Sequence, residues 1–554
     1  MEIVYKSVKK LLLEKNIVCP EFNVFNERGT VVKVAYWQPK GEIQFNKRKG
    51  FYCNESDHKE KTIGFLKYSK RENSDIVITA EYSVAWSVLE QIIEKKECWP
   101  ESRKLWCLGM EGISCDEMKC FLDKYDENGT IKIIMEDWDS IALNSFISCI
   151  VYLFHSQGKL VCIVQLKTTA ASDQWAELEA AGLSTGNTIY YFQNSRETNC
   201  LFSFICADAL NQSISIIEKC IVYQKCIILH PQLNPKPLHD SFNTMRKSFL
   251  DYSKSNIRII SVNWAKDTIL KREEGDDIRV EDSYTACYYS QSEIGKIEKL
   301  VAHNKKKGID IAKDGHIFIW HMPSNEHCMT FSVDCFDSRI LNNVTAKHNE
   351  PLGNVYLEYV DGVWTEQEAC KVCSIDWEWL KEEFDFSKCS ENECDVLLLH
   401  RFFAVLFGQK IYKEMVLSEG EENSIFSKNS KTRYGVLQSR ERCKYIHEEL
   451  KEGNVPAKFA LIKRKNFRWT LSKKGNLKLD ASNDDEVINV VYVDSAEEKL
   501  IKKAIIEFQN LMGEAANDRM LLYYLSRKGI KYYDDLYNTE INNPNYTNHV
   551  ELIK

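Results

Sequence analysis

The chain has 554 residues and a mass of 64.5 kDa, too long for a single hydrophobic core, so several domains are expected. Its composition, 44% hydrophobic and 28% charged, excludes an intrinsically disordered chain. A formal net charge of −8 excludes a global attraction to nucleic acid or anionic membranes, so any such binding needs a local patch.

The N-terminus, MEIVYKSVKKLLLEKN, lacks the continuous apolar core and small-residue cleavage site of a signal peptide. Its Val4, Val8, Leu11 and Leu12 recur at helical spacing, which predicts a short helical extension over 1–24. No apolar run reaches bilayer-spanning length, so no membrane partner is expected. The twenty cysteines then read as small buried hydrophobes in a reducing cytoplasm, not as a disulfide framework.

Continuing along the chain, TVVKVAYWQP (30–39) is β-branched and aromatic and stops at a proline, as a strand does. EKTIGFLKYSK reads as a helix. SDIVITAEYSVAW is an apolar run that ends in Glu81 and leads into the helical SVLEQIIEKK. A continuous apolar run capped by a polar residue fits a strand buried on both faces, with Glu81 at its C-terminal end. KLWCLGMEG (104–112) repeats that pattern. In NSFISCIVYLFHSQGKLVCIVQLKTTAASD, two β-rich runs joined by HSQGK predict a hairpin whose second strand ends in Lys167. LFSFICADAL (201–210) then delivers Cys206 near the end of another apolar run. Two further strands, KCIILHP and NIRIISVNW, flank the helical LHDSFNTMRKSFLDYSK.

Singly, each of the three polar residues has a structural explanation. Cys206 fits a buried packing thiol, Glu81 a helix N-terminal charge and Lys167 a surface lysine closing a hairpin. Jointly they are harder to explain as packing, because a buried carboxylate or ammonium is costly unless paired, and strand ends can converge at one rim of a sheet.

This order resembles the nitrilase superfamily of carbon–nitrogen hydrolases, whose catalytic set is a glutamate, a lysine and a cysteine in that sequence. The likeness extends over roughly 30–335. It includes the hairpin IVYLFHSQGKLVCIVQLK, the late strand RIISVNW with Asn263, and HNKKKGIDIAKDGHIFIWHMP as a segment returning to the sheet. The chain departs from the family at Ala80, where proline is usual, and at Ala207, where an aromatic is usual. Of the longer signature around the cysteine only Cys206 and Asp208 remain.

The resemblance implies an α/β fold, an α-β-β-α sandwich, and roles for the three residues. Glu81 would be the general base, Cys206 the nucleophile, and Lys167 with the Ala207 N–H the oxyanion donors. It further implies a second glutamate in the substrate pocket shortly after the lysine. QWAELEAAG offers Glu177 and Glu179, of which Glu177 is nearer the usual offset. Asn263 is expected at the pocket, no cofactor is expected, and the substrate would be a small amide or nitrile. A homodimer or larger assembly is implied as well. The alternative is a degenerate, catalytically silent scaffold that oligomerises and binds a protein or nucleic acid through its C-terminal half, as in family domains fused to defence-associated modules.

Beyond this region the signals are weaker. Cys370, Cys373, Cys389 and Cys394 approach zinc-ribbon spacing, but the second pair is C-x4-C and no knuckle glycine is present. KYYDDLY (531–537) reads as a tyrosine-rich helix end. In 458–478, KFALIKRKNFRWTLSKKGNLK, basic residues interleave with Phe459, Phe467 and Trp469; this is either a phosphate- or acid-binding stripe or a two-stranded ribbon with a solvated face. No P-loop, dinucleotide fingerprint or repeat is present. The expected organisation is therefore the extension 1–24, the hydrolase-like domain 25–340, and a mostly helical appended domain 341–554 with a basic insert.

Overall fold

The computed structural model describes residues 3–367 apart from 26–31, 55, 126–127, 137, 139–140, 143–144, 172–175, 181, 212–224, 236, 238–239, 253–255, 273–276, 281–284, 291–308, 315–316 and 334–351. It also describes 466–472, 487–493, 499–503, 506, 520–526 and 529–533. The chain divides into two compact units, Met1–Val372 and Cys373–Lys554.

The apolar, β-branched runs of the first unit form the middle of two large sheets. One sheet has nine strands in the order Val363–Gln367, Leu352–Val360, His327–Val333, Val32–Gln38, Ile76–Thr79, Leu105–Gly109, Cys149–Ser156, Lys159–Leu166 and Ile131–Ile134. The other has eight, in the order Val4–Ser7, Thr188–Gln193, Asn199–Ser203, Lys225–Pro231, Asn256–Val262, Ala286–Ser290, Ile317–His321 and Asp310–Asp314. Their faces meet: Ile76–Thr79 contacts Lys225–Pro231, and Val32–Gln38 contacts Asn256–Val262. Gln165 ties the two layers together, its Nε2 donating to the Ser203 carbonyl at 3.0 Å while its Oε1 accepts from the Tyr190 N–H at 3.0 Å.

Helices His58–Arg71, Trp86–Glu94 and Cys115–Tyr125 cover the outer face of the nine-stranded sheet. Phe65, Leu89, Met118 and Phe121 pack there against Val77, Trp106 and Val151. Helix Asp240–Tyr252 packs on the other sheet, against Asn256–Val262 and Ala286–Ser290. The result is the expected α/β sandwich of helix, sheet, sheet and helix. Strands enclosed in this way need no polar face, which is why the sequence runs are continuously apolar.

The central strands are parallel, Val32–Gln38 with Ile76–Thr79 with Leu105–Gly109, and Asn199–Ser203 with Lys225–Pro231 with Asn256–Val262. The predicted hairpin is present, with Cys149–Ser156 pairing antiparallel with Lys159–Leu166. Its two-residue turn has positive φ at both Gln157 (46°) and Gly158 (81°), the type I′ geometry that matches strand twist. Antiparallel pairing on both sides of Cys149–Ser156 sets Lys159–Leu166 running the same way as Leu105–Gly109. Residues that follow Thr79, Gly109 and Leu166 therefore emerge at one rim.

Two expected boundaries shift. The N-terminal segment is not a separate helical extension: Val4–Ser7 is a strand pairing in parallel with Thr188–Gln193, Val8–Glu14 is an α-helix, and Asn23–Phe25 is a 3-10 turn. The first unit also continues past 340, because Leu352–Val360 and Val363–Gln367 form a hairpin that joins the nine-stranded sheet beside His327–Val333. Asp361 (φ 50°) and Gly362 (φ 83°) make its turn, both in the left-handed region that such two-residue turns require.

In the second unit the described residues form a four-stranded sheet in the order Asn466–Ser472, Val487–Val493, Met520–Ser526, Gly529–Tyr533, the first three parallel and the last antiparallel. This corrects the helix end expected at the start of KYYDDLY, and MLLYYLS, within the domain expected to be mostly helical, is a strand as well. The core of the basic segment, Asn466–Ser472, is a strand that pairs in parallel with Val487–Val493. Its remaining residues lie outside the described ones, as do Cys370, Cys373, Cys389 and Cys394.

Candidate active site

Glu81 sits two residues past the end of Ile76–Thr79 and is 2% exposed. Its position depends on Gly109: a Cβ there would lie 2.0 Å from the Ala80 carbonyl oxygen and 2.9 Å from the Glu81 Cα. The Gly109 carbonyl accepts from the Ser83 and Val84 N–H groups, each at 2.9 Å, and the Glu81 carbonyl accepts from Trp264 Nε1 at 2.7 Å. The backbone on both sides of the carboxylate is thus clamped.

Lys167, 1% exposed, follows the hairpin strand and donates from Nζ to Glu81 Oε1 at 2.9 Å and to Glu179 Oε1 at 2.5 Å. Glu179 carries further donors: the Tyr82 hydroxyl reaches Oε1 at 3.0 Å and the Ala171 N–H reaches Oε2 at 2.7 Å. Glu81 Oε2 takes the Leu233 N–H at 3.0 Å. Burial raises the Glu81 pKa, Lys167 opposes that, and Glu179 adds to it. For Lys167 burial works against the charge, but the Glu179 and Glu81 carboxylates outweigh it and hold the ammonium well above its ordinary range. The ammonium therefore keeps its charge at neutral pH, and burial makes the Glu81 carboxylate a better proton acceptor than a carboxylate in water.

Cys206 comes from the other sheet, three residues past Asn199–Ser203. It occupies the left-handed region (φ 43°), which is uncommon for a residue with a side chain. Its N–H donates to the Pro231 carbonyl at 2.9 Å, and its carbonyl accepts from His230 Nε2 at 2.9 Å. Burial, reinforced by the Arg246 charge, pushes the His230 pKa down to about 3, so the ring is neutral and carries its proton on Nε2. Cys206 Sγ lies 3.9 Å from the Leu233 carbonyl, so Leu233 stands between thiol and base, its N–H on Glu81. Asp208, fully buried, accepts at Oδ1 from the Thr168 and Thr169 N–H groups at 2.8 Å, joining the Cys206 turn to the chain after Lys167. Burial, only partly countered by Lys167, raises its pKa to about 7.

Glu81, Lys167, Cys206, Ala207 and Glu179 line one cavity of about 30 Å³. The Ala207 N–H makes no hydrogen bond among the described residues. The three widely spaced strand-end residues therefore share one pocket. The pocket glutamate is Glu179; Glu177, nearer the expected offset, belongs to the same short helix Ala176–Ala180, but its side chain lies outside the described residues. Asn263 does not line the cavity. Its Nδ2 donates to the Asn234 carbonyl at 2.8 Å and its Oδ1 accepts from the Asn234 N–H at 2.9 Å, and Asn234 is the lining residue. Tyr82, in the left-handed region at φ 60°, is a site residue that no sequence pattern singles out. Among the described residues no cluster of potential metal ligands forms, and no described helix is long and apolar enough to cross a membrane.

No protein-family model and no curated protein matches the chain. Among solved structures it is similar to the glutamine-dependent NAD+ synthetase of Acinetobacter baumannii in complex with ADP, at 10% identity and a TM-score of 0.32, covering 90% of this chain. It spans only 65% of that synthetase. It is similar also to a Saccharomyces cerevisiae member of branch 10 of the nitrilase superfamily, at 12% identity and a TM-score of 0.29, over 56% of this chain and 92% of that one. A third is a CN-hydrolase superfamily protein of Xanthomonas campestris with an arsenic adduct in its active site, at 8% identity and a TM-score of 0.26, over 43% of this chain and 77% of that one. Identities and scores this low carry no assignment of activity.

Proposed function

We propose that the chain is a nitrilase-like carbon–nitrogen hydrolase that cleaves a non-peptide C–N bond through a thioester on Cys206. The observation that carries the reading is the meeting of Glu81, Lys167 and Cys206, from three strand ends in two sheets, on one cavity. Glu81 takes the Cys206 proton and Sγ bonds to the substrate carbonyl carbon. The oxyanion that forms faces Lys167 and the Ala207 N–H, and a backbone donor serves whatever its side chain, so alanine in place of an aromatic leaves it intact. Protonated Glu81 returns its proton to the leaving nitrogen, the C–N bond breaks, and ammonia or an amine departs. Water then attacks the thioester as Glu81 accepts its proton. The C–S bond breaks, the thiol is reprotonated, and a carboxylic acid leaves.

Glu179 supports this division of labour. It takes three donors, among them Lys167 Nζ, and so keeps the ammonium in place while Glu81 cycles its proton. The test is a cysteine-directed substrate analogue followed by intact-mass analysis. The expected result is one adduct per chain, mapped to Cys206 and lost in Cys206→Ala. Labelling that persists undiminished in that variant favours the silent-scaffold alternative.

A further inference from the structure

The strand Lys225–Pro231 grips the nucleophile turn by carrying the sheet ladder beyond Asn199–Ser203. The Phe204 N–H donates to the Leu229 carbonyl at 3.0 Å, and the Cys206 N–H donates to the Pro231 carbonyl at 2.9 Å. In a regular parallel ladder the next bond would run from the Leu233 N–H to the Cys206 carbonyl. Here that N–H donates instead to Glu81 Oε2 at 3.0 Å. A side chain takes its place. His230 Nε2 lies 2.9 Å from the Cys206 carbonyl oxygen, with the Ala209 N–H as a longer second donor at 3.4 Å.

That carbonyl belongs to the same peptide unit as the Ala207 N–H. A trans peptide unit is planar, so fixing its C=O also fixes its N–H, which points the opposite way. A hydrogen bond to the oxygen also polarises the unit and makes the N–H a stronger donor. His230 is fully buried and neutral, and a carbonyl can only accept, so the ring proton stands on Nε2. Nδ1 is then a lone pair, and Gln232 Nε2, 2.7 Å away and also fully buried, donates to it. The approach of the same amide nitrogen to His230 Nε2 at 3.2 Å is not a bond, since both atoms are donors. Ser261 Oγ stands 3.4 Å from Nδ1, and Gln232 Oε1 accepts from Asn234 Nδ2 at 3.4 Å. Resting on the hydrolase reading, we propose that His230 is a positioning residue of the oxyanion site. It holds the Cys206–Ala207 peptide so that the Ala207 N–H meets the developing negative charge, and Gln232 keeps the imidazole in the tautomer that does so.

Two probes of Cys206 in the full chain separate this role from one in packing, each rate being read by peptide mass mapping. p-Nitrophenyl acetate acetylates the thiol through a tetrahedral oxyanion: the C–S bond forms, the C–O bond breaks, p-nitrophenolate leaves and the thiol proton passes to Glu81. Iodoacetamide alkylates the same sulfur by displacing iodide, with no oxyanion. His230→Leu should slow acetylation about 10–100-fold while alkylation stays within about threefold of the parent. His230→Gln, whose amide nitrogen falls near the place of Nε2, should bring acetylation back to within about fivefold. Gln232→Leu, which leaves the tautomer unfixed, should slow acetylation alone by about 3–10-fold. Equal slowing of both reactions in His230→Leu and Gln232→Leu would reduce His230 to a packing residue. Acetylation at the parent rate in both would detach it from the oxyanion site. Either result overturns the proposal and leaves the thioester chemistry standing. A parent chain whose Cys206 is alkylated by iodoacetamide but never acetylated removes the hydrolase reading, and this proposal with it.

Discussion

The strand Ile76–Thr79 has an ion pair at each end, largely buried at its start and fully buried past its other end, and the two are built differently. At its start Lys104 Nζ donates to Asp75 Oδ1 at 2.6 Å. Asp75 also accepts from Asn23 Nδ2 at 3.2 Å and from the Lys33 N–H at 2.9 Å, and Lys104 donates to the Asn73 carbonyl at 3.0 Å. One acid meets one base, and both are completed by neighbouring chain. Past its other end Glu81 meets Lys167 at 2.9 Å, but Glu179 shares that ammonium, and the three line a cavity with a thiol. A buried ion pair is therefore not in itself a sign of chemistry. The surplus carboxylate, the cavity and the strained cysteine mark the second end as a reactive one.

The comparison breaks most sharply on the two lysines. Lys167→Met should leave Glu81 and Glu179 without their shared cation, lowering kcat about a thousandfold or more and costing about 3–5 kcal/mol in a urea melt. Lys104→Met should cost about 2–3 kcal/mol and leave kcat within about threefold. Equal activity losses in the two variants would show that the two ends do not differ in function. Gly109→Ala forces a methyl against the Ala80 carbonyl and displaces Glu81. A loss of about 10–100-fold in kcat is expected, with about 1–3 kcal/mol of stability, and an unchanged kcat would separate Glu81 from the chemistry.

Two titrations sharpen the picture further. Because burial raises the Glu81 pKa and the base must be ionised, kcat/KM should fall on the acid side at a pH above the ordinary carboxylate range. An acid limb at the ordinary value would argue for a different base. The smallest effect concerns Asp208, whose pKa is raised from 3.8 to about 7. The folded state then holds a proton that the unfolded state has lost, so this group's contribution to stability falls as pH rises between those values. Urea midpoints measured from pH 4 to 7 should show that decline in the parent and a flatter profile in Asp208→Asn.

Much of the first unit is legible in its sequence because its strands are enclosed on both faces. The runs IVIT, LWCLG and CIILHP read as buried strands, and the polar residue within two places of each, Glu81, Glu111 and Gln232, marks a strand end. Glu81, Lys167 and Cys206 were found that way. The pocket glutamate was not, since Glu177 and Glu179 lie in one short helix and only the fold decides which reaches Lys167. Tyr82 was invisible because its role comes from a left-handed backbone imposed by the Glu81 turn. Asn263 was placed one layer too close, and it acts through Asn234. In the second unit MLLYYLS is a short apolar run that periodicity alone cannot assign to helix or strand, and there pairing with Val487–Val493 decides.

The central claim is that a thiol, a carboxylate and an ammonium drawn from separate strand ends act as one reacting centre. It is tested most directly by rapid acid quenching of the full chain during turnover of a hydrolysed amide, followed by peptide mass mapping. The account predicts a burst of ammonia stoichiometric with enzyme and a mass gain equal to the acyl group on the peptide holding Cys206. Release of ammonia and acid with that peptide unmodified, and with Cys206→Ala as active as the parent, would contradict it.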